Sequence, residues 1–372
     1  MNILVLTQQY PSKENLYRNG FVHTRIKKYL ELDDTLNFRV YVLSNNKEIM
    51  HYKYDEIDVT VGNEKELLKY LLEEKINHIF IHFLLKSMVP ILLDERISKI
   101  KKTVWVHGYE ALSWKRRLFN FFNRHIIFDI IYNEKQLRSL KNYVSRENNT
   151  DFVFVSNWMK KIAEEDVKIE FKNSNIIPNG IDTDFYTYSN KKGKQKNILL
   201  IRPFNSRKYA TDIALEAIRL LSKEKNFSEF KITIIGEGKY LKKDIKGLEN
   251  YDNVKIISKF LNKNEIKMYH EKNGIFLCPT RQDAQGVSMC EAMSSGLVPV
   301  TSNNTAIPEF VDEQEGYLCN TPEELKDAII DLQNDKIIEK ASVNSRLKIE
   351  KKCNLNNISN QELEFINERI EK

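Results

Sequence analysis

Pro279–Pro299 reads PTRQDAQGVSMCEAMSSGLVP. A strand-like run, Gly274–Cys278, precedes it; its middle, Val287–Ser295, is helical; and Val298–Ser302 is strand-like again. Strand, glycine-bearing turn, helix and strand in that order make the repeating unit of a parallel sheet. Asp283 and Glu291 stand eight positions apart, around Gly286. A glycine at such a turn lets backbone come close to a ligand, and the first helix amides, at Val287 and Ser288, then point at it. The positive end of the helix dipole suits a diphosphate. Glu291, about one turn into the helix, is placed to accept hydrogen bonds from ribose hydroxyls.

Outward from this stretch the same alternation continues. Asn197–Ile201, Lys231–Ile235 and Val254–Ser258 read as strands, and Thr211–Ser222 as a helix. The first half repeats it, with strands at Asn2–Thr7, Phe38–Leu43, His78–Phe83, Lys102–Val106, Phe152–Val155 and Asn175–Ile177. Phe21–Leu32 and Lys65–Glu74 have helical spacing. Ser189–Asn197 (SNKKGKQKN) is polar and basic, and reads as a linker. Two α/β units in succession predict a ligand cleft at the carboxyl ends of parallel strands.

The 372 residues suit two domains. Only 41% are hydrophobic and 30% are charged, but 10% are aromatic, enough to build a large core and to exclude disorder. The net charge of +6 permits anionic partners without requiring nucleic acid. Cys278, Cys290, Cys319 and Cys353 form no CxxC pair, so they read as reduced thiols. Met1–Thr7 lacks a basic leader region, and no run of about 18 or more apolar residues exists to span a membrane. A cytoplasmic protein is expected.

At this point the sequence resembles retaining glycosyltransferases of family 4, which have the GT-B fold. Their signature is a Glu, seven residues, then a second Glu. Asp283, Gly286, Glu291-Ala292-Met293, Gly296 and Pro299-Val300 match it. Ile177-Pro178-Asn179-Gly180-Ile181-Asp182 is similar to the family's IPNGVD segment, and Ile201-Arg202 with Arg207-Lys208 to its GRL…KG segment. Ile234-Ile235-Gly236-Glu237-Gly238 looks like its VGDG loop, while Tyr10-Pro11-Ser12, Gly20-Phe21-Val22 and His107-Gly108-Tyr109-Glu110 fit its first domain. Two departures stand out: Asp283 replaces the first Glu, and Gln285 the usual Phe.

The resemblance implies two Rossmann-like domains. Residues 1–174 would form the acceptor side and 175–350 the nucleotide-sugar donor side, with a C-terminal helix, 351–372, returning to the first domain. It implies Asp283, His107, Arg202 and Lys208 as catalytic. Gly20, Arg202, Arg207, Lys208, Gly236, Gly238, Gly286, Val287, Ser288 and Glu291 would bind donor. Either Arg207 or Lys208 is the phosphate cation; the alignment leaves both open. With Arg202 they would stabilise the leaving diphosphate without a metal or other cofactor. The implied reaction moves a sugar, from a UDP-sugar by family habit, to a glycan or lipid-linked acceptor in bacterial surface-polysaccharide assembly. The rivals are an idle subunit of this fold supporting a partner enzyme, motivated by Asp283 and Gln285, and a sugar-nucleotide epimerase, for which no acid/base set is seen.

Plainer readings stand beside these. Asp182-Thr183-Asp184 follows Pro-Asn-Gly and reads as turn and helix-cap chemistry rather than a metal triplet. His78, His82 and His270 read as structural, and Glu309, which matches a family position, also reads as the start of a helix. Gly236-Glu237-Gly238 is too short for a dinucleotide fingerprint. Leu112–Phe128 (LSWKRRLFNFFNRHIIF) mixes Trp114, Phe119, Phe122 and Ile126 with Lys115, Arg116, Arg117 and Arg124. That composition suits a helix lying on an anionic membrane, or an ordinary helix covering the sheet.

Overall fold

The computed structural model describes residues 1–372 except 16–17, 46–47, 121–125 and 371–372. The chain divides into two compact units: 1–116, 124–180 and 356–372 in the first, and 117–123 with 181–355 in the second.

The first unit holds eight strands: β1 (Asn2–Thr7), β2 (Asn37–Leu43), β3 (Met50–Tyr54), β4 (Ile57–Gly62), β5 (His78–His82), β6 (Lys101–Val106), β7 (Thr150–Phe154) and β8 (Ser174–Ile176). Their order is β3-β4-β2-β1-β5-β6-β7-β8, parallel except for the β3–β4 hairpin. Ile3–Leu6, Ile79–Ile81 and Val104–Val106 are buried, as expected of strands covered on both faces. The helices are α1 (Gly20–Leu32), α2 (Glu64–Glu73), α3 (Val89–Leu92), α4 (Ile126–Arg146) and α5 (Asn157–Val167). Side chains start two of them. Asn63 accepts from the Lys65 and Glu66 amides before α2, and Ser156 from Met159 before α5. Because β8 pairs with β7, residues 175–180 belong here, six positions beyond the expected boundary.

The second unit carries β9 (Asn197–Ile201), β10 (Lys231–Ile235), β11 (Val254–Ile257), β12 (Ile275–Leu277), β13 (Val298–Ser302) and β14 (Tyr317–Cys319), all parallel, in the order β11-β10-β9-β12-β13-β14. Its helices are α6 (Thr211–Leu221), α7 (Leu241–Asp244), α8 (Lys263–Lys272), α9 (Val287–Ser294), α10 (Pro322–Asp331) and α11 (Asp335–Cys353). The strand order reverses at β9 here and at β1 in the first unit. Ligands of such sheets bind outside the carboxyl ends at that reversal.

The last helix, α12 (Leu355–Ile370), belongs to the first unit from Asn356 onward. There the buried Glu362 carboxylate accepts from Arg25 Nε (3.1 Å), the Tyr29 hydroxyl (2.6 Å) and Trp105 Nε1 (3.0 Å).

Two expectations need correction. Ser189–Asn197 is not a linker but part of the second unit, where Lys191 is buried and its ammonium donates to Ser189 Oγ and the His270 carbonyl. Leu112–Phe128 is not one helix. Leu112 is buried, Trp114–Asn120 is a 3-10 segment kinked at Arg117, and α4 begins only at Ile126. Phe122 and Arg124 lie outside the described residues.

Candidate active site

In the second unit Arg202 directly follows β9 and is buried. Its Nη2 donates to the Cys278 carbonyl just after β12 (3.1 Å), and its Nη1 to Ser288 Oγ in the first turn of α9 (2.8 Å). One guanidinium thus ties together the two strand ends at the reversal point and the start of the helix. Its Nε is buried and has no partner among the described residues, an unmet donor at the place where a ligand would sit.

The turn into α9 is built by Asp283 and Gly286. Asp283 Oδ1 accepts from the amides of Gln285 (3.3 Å) and Gly286 (2.9 Å). Gly286 then takes φ 81° as the N-cap, so no side chain caps α9, and the amides of Val287 and Ser288 are left for another acceptor. One Asp283 oxygen therefore shapes the loop, beyond the sugar-facing role expected from sequence. Gln285 is buried with its amide against Cys353 Sγ (3.8 Å).

Glu291 lies one turn further on and is partly buried. Burial pushes its carboxyl up to about 7, against the opposing pull of Lys263 and the Tyr186 hydroxyl. Such a group gains from hydroxyl donors supplied by a ligand.

The two cations that the alignment could not separate differ in their surroundings. Arg207 grips Asp244 with both terminal nitrogens (2.6 and 2.9 Å), and its guanidinium lies 4.0 Å above the Tyr240 ring. Lys208 is half-buried and has no carboxylate partner among the described residues. Gly236 and Gly238, after β10, have φ of 153° and 147°. A Cβ on either would overlap the backbone of Arg202 or of Phe204 and Asn205. Close packing of the β10 loop against the Arg202 loop is what requires glycine here.

In the first unit His107 follows β6. Its Nε2 lies 2.9 Å from Nδ1 of His82, the last residue of β5. Burial, with the Arg25 charge adding to it, holds the His107 imidazole well below the usual histidine range; His82 is depressed likewise. Both rings are neutral, and one N–H donates to the other. The buried Glu110 accepts from the His107 (2.6 Å) and Gly108 (3.0 Å) amides and fixes this turn. His82, read from sequence as structural, is therefore His107's partner; the available signal was that both stand at the carboxyl ends of consecutive strands. Among the described residues the His78 and His270 rings bond to core hydroxyls, Thr103 and Ser295. Gly20 opens α1, where a Cβ would meet open space.

Asp182 Oδ1 accepts from the Phe185 amide (2.9 Å) in a turn, and no helix follows it. Glu309 ends a single 3-10 turn, Ile307–Glu309, whose last carbonyl accepts from Lys352.

Two Rossmann-like parallel-sheet units in one chain, with a basic and helix-start site at the carboxyl ends of the second sheet, define the GT-B class. Residues 184–351 match the family model described as "Glycosyl transferases group 1", so this stretch is a glycosyltransferase group 1 domain. The amylovoran biosynthesis glycosyltransferase AmsK of Erwinia amylovora is 35% identical over 117 residues, covering 29% of this chain and 28% of that protein. The chain thus aligns with under a third of that relative's length. Among solved structures, Anabaena HepE in complex with UDP and glucose superposes with a TM-score of 0.73 at 14% identity, over 99% of this chain and 100% of that one. Sucrose-phosphate synthase from Thermosynechococcus elongatus does so with 0.73 at 12%, over 99% of each chain. At such identities the likeness is one of fold. Among the described residues no helix is long and apolar enough to cross a membrane.

Proposed function

We propose that this chain is a retaining, metal-independent family 4 glycosyltransferase. It takes a sugar from a UDP-sugar and passes it to a glycan or lipid-linked acceptor in bacterial surface-polysaccharide assembly, on the cytoplasmic side of the membrane. The observation that carries the reading is Arg202, buried at the strand-order reversal and bonded to the first turn of α9 with one nitrogen unmet.

Each role follows from the local chemistry. The diphosphate lies at the uncapped amides of Val287 and Ser288, where helix dipole and amide donors act together. Arg202 and Lys208 neutralise the charge that grows on the leaving group, and Arg202 is preorganised by its bonds to Ser288 and the Cys278 carbonyl, so it needs little rearrangement as the bond breaks. Arg207 is a positioning residue that holds its loop through Asp244. Glu291 accepts from ribose hydroxyls. Asp283 sets the turn and offers its remaining oxygen to the donor sugar. His107, neutral and held by His82, hydrogen-bonds to a sugar hydroxyl without adding charge. Gly20 leaves room for the donor. UDP is favoured because HepE was solved with UDP and with UDP-glucose, and the polysaccharide setting because AmsK carries that role in its name.

The test is nucleotide release from a panel of UDP-, GDP- and ADP-sugars, with and without EDTA, alongside product stereochemistry. Turnover with a UDP-sugar that survives EDTA and retains the anomeric configuration is expected. Abolition by EDTA with rescue by Mn²⁺ would overturn metal independence. Tight nucleotide binding with no turnover on any donor or acceptor would favour the idle-subunit reading.

A further inference from the structure

Leu112–Phe128 does not present the expected membrane face as one helix, although its last two residues, Ile127 and Phe128, are exposed in the first turn of α4. Trp114 Nε1 donates to Glu134 (2.9 Å), and Arg116 is held by Asp166 (2.8 Å) and Glu165 (2.8 Å). α4, which begins within that segment, carries the surface onward. One side of α4 packs into its own unit through Asn133, Gln136, Leu137, Leu140 and Tyr143. On the other side Ile127, Phe128, Ile131 and Tyr132 are 68%, 74%, 48% and 43% exposed. Four large apolar side chains in six positions, one helical turn apart in pairs, form a contiguous row of the kind water disfavours.

Charge says what covers this row. Farther along the helix Lys135, Arg138 and Lys141 are exposed and have no ion-pair partner among the described residues. Lys86 Nζ sits 4.0 Å over the Tyr132 ring. The acids on this helix are Asp129 and Glu134, and Glu134 already accepts from Trp114. A second copy of the chain docking here would bring the same cations against each other, which costs association energy. An anionic lipid surface meets both halves at once: the apolar turns enter the interface and the cations beyond them meet headgroups.

We propose that the outward face of α4 docks this protein on an anionic lipid membrane, with Ile127, Phe128, Ile131 and Tyr132 entering the interface and Lys135, Arg138, Lys141 and Lys86 meeting the headgroups. The proposal does not depend on the transfer reaction. The experiment is co-sedimentation of the full chain with vesicles of phosphatidylcholine alone or with phosphatidylglycerol at three parts in ten. Wild type should bind the anionic vesicles at low salt, bind neutral ones far less, and lose affinity as salt rises. Lys135→Ser with Arg138→Ser should weaken anionic binding about thirtyfold, and Ile127→Ser with Phe128→Ser at least tenfold. All four sites are exposed, so thermal unfolding should be unchanged. A charge-matched control, Lys242→Ser with Lys243→Ser on exposed positions of the second unit, should bind like wild type. The proposal is overturned if wild type ignores anionic vesicles at low salt, or if the α4 variants bind unchanged. An equal loss in the control would mean net charge acts instead of this face. A dimer in sedimentation equilibrium that Ile127→Ser with Phe128→Ser dissolves, without vesicle binding, would make the face a self-interface.

Discussion

Replacing Glu291 with Gln should stabilise the second unit, and more so the higher the pH. In the folded chain burial raises this carboxyl from 4.5 to about 7. Below pH 4.5 it is protonated in both folded and unfolded chains and costs nothing. As pH rises from there to about 7 the unfolded chain loses the proton first, so folding is penalised by a growing amount that levels off above 7. With about 1.36 kcal/mol for each tenfold difference in proton affinity, the penalty is about 1 kcal/mol at pH 5 and about 3 kcal/mol at pH 8. Glutamine keeps the shape and removes the charge. For a unit of this size each kcal/mol moves the midpoint by about 2–4 °C, so the variant's advantage should be about 5–10 °C larger at pH 8 than at pH 5. Thermal unfolding without ligand, followed by calorimetry at both pH values, measures it. The same variant should bind a UDP-sugar at least tenfold more weakly, since a neutral amide is the poorer acceptor. A variant that shifts the midpoint equally at pH 5 and pH 8 would refute the reasoning, because the carboxyl would then not be an ionised group held in a poorly solvated place.

Lys208→Ala should weaken UDP-sugar binding by tenfold to a hundredfold in titration calorimetry, at about 1.5–3 kcal/mol for a charged hydrogen bond, with stability unchanged. Arg207→Ala should do the reverse: it strands the buried Asp244 and should cost about 3 kcal/mol in urea unfolding, with little loss of affinity in a folded sample. Gly238→Ala should destabilise by about 1–3 kcal/mol through overlap and a disfavoured φ, whereas Gly20→Ala should leave unfolding nearly unmoved, so any loss of donor binding there reports on the ligand. Glu362→Ala should cost the first unit about 3–5 kcal/mol in denaturant unfolding, because Arg25 is left buried and unpaired.

How much of this was legible depended on whether the deciding contact was local. β9, β10 and β13 begin and end where the sequence places them, because buried parallel strands are mainly apolar, β-branched runs bounded by turn residues. The β3–β4 hairpin was invisible: MHYKY is a polar edge strand, and its turn puts Asp55 and Glu56 at φ 46° and 66° with no glycine or asparagine to announce it. Composition misread 189–197, since a buried lysine looks like an exposed one until its acceptors, Ser189 and the His270 carbonyl, are known. In the site, Arg202, Gly286 and Glu291 were readable from spacing and resemblance. The difference in surroundings between Arg207 and Lys208 was not, because it rests on Asp244, 37 residues away from Arg207 in sequence. His82 escaped for the same reason: its partner stands 25 residues on, across a strand pairing.

The carboxylate of Glu362 also bears on the order in which the protein can be made. It neutralises Arg25 from 337 positions further along the chain. At about 5–20 residues per second, a ribosome delivers the counter-ion roughly 20–70 s after the cation. Until then the space between α1 and Trp105 holds an uncompensated guanidinium, and the first unit cannot close over it without a heavy desolvation cost. Residues 181–355 meet no such delay, since their sheet closes on strands already emerged. The half of the protein synthesised first is therefore the half that finishes folding last.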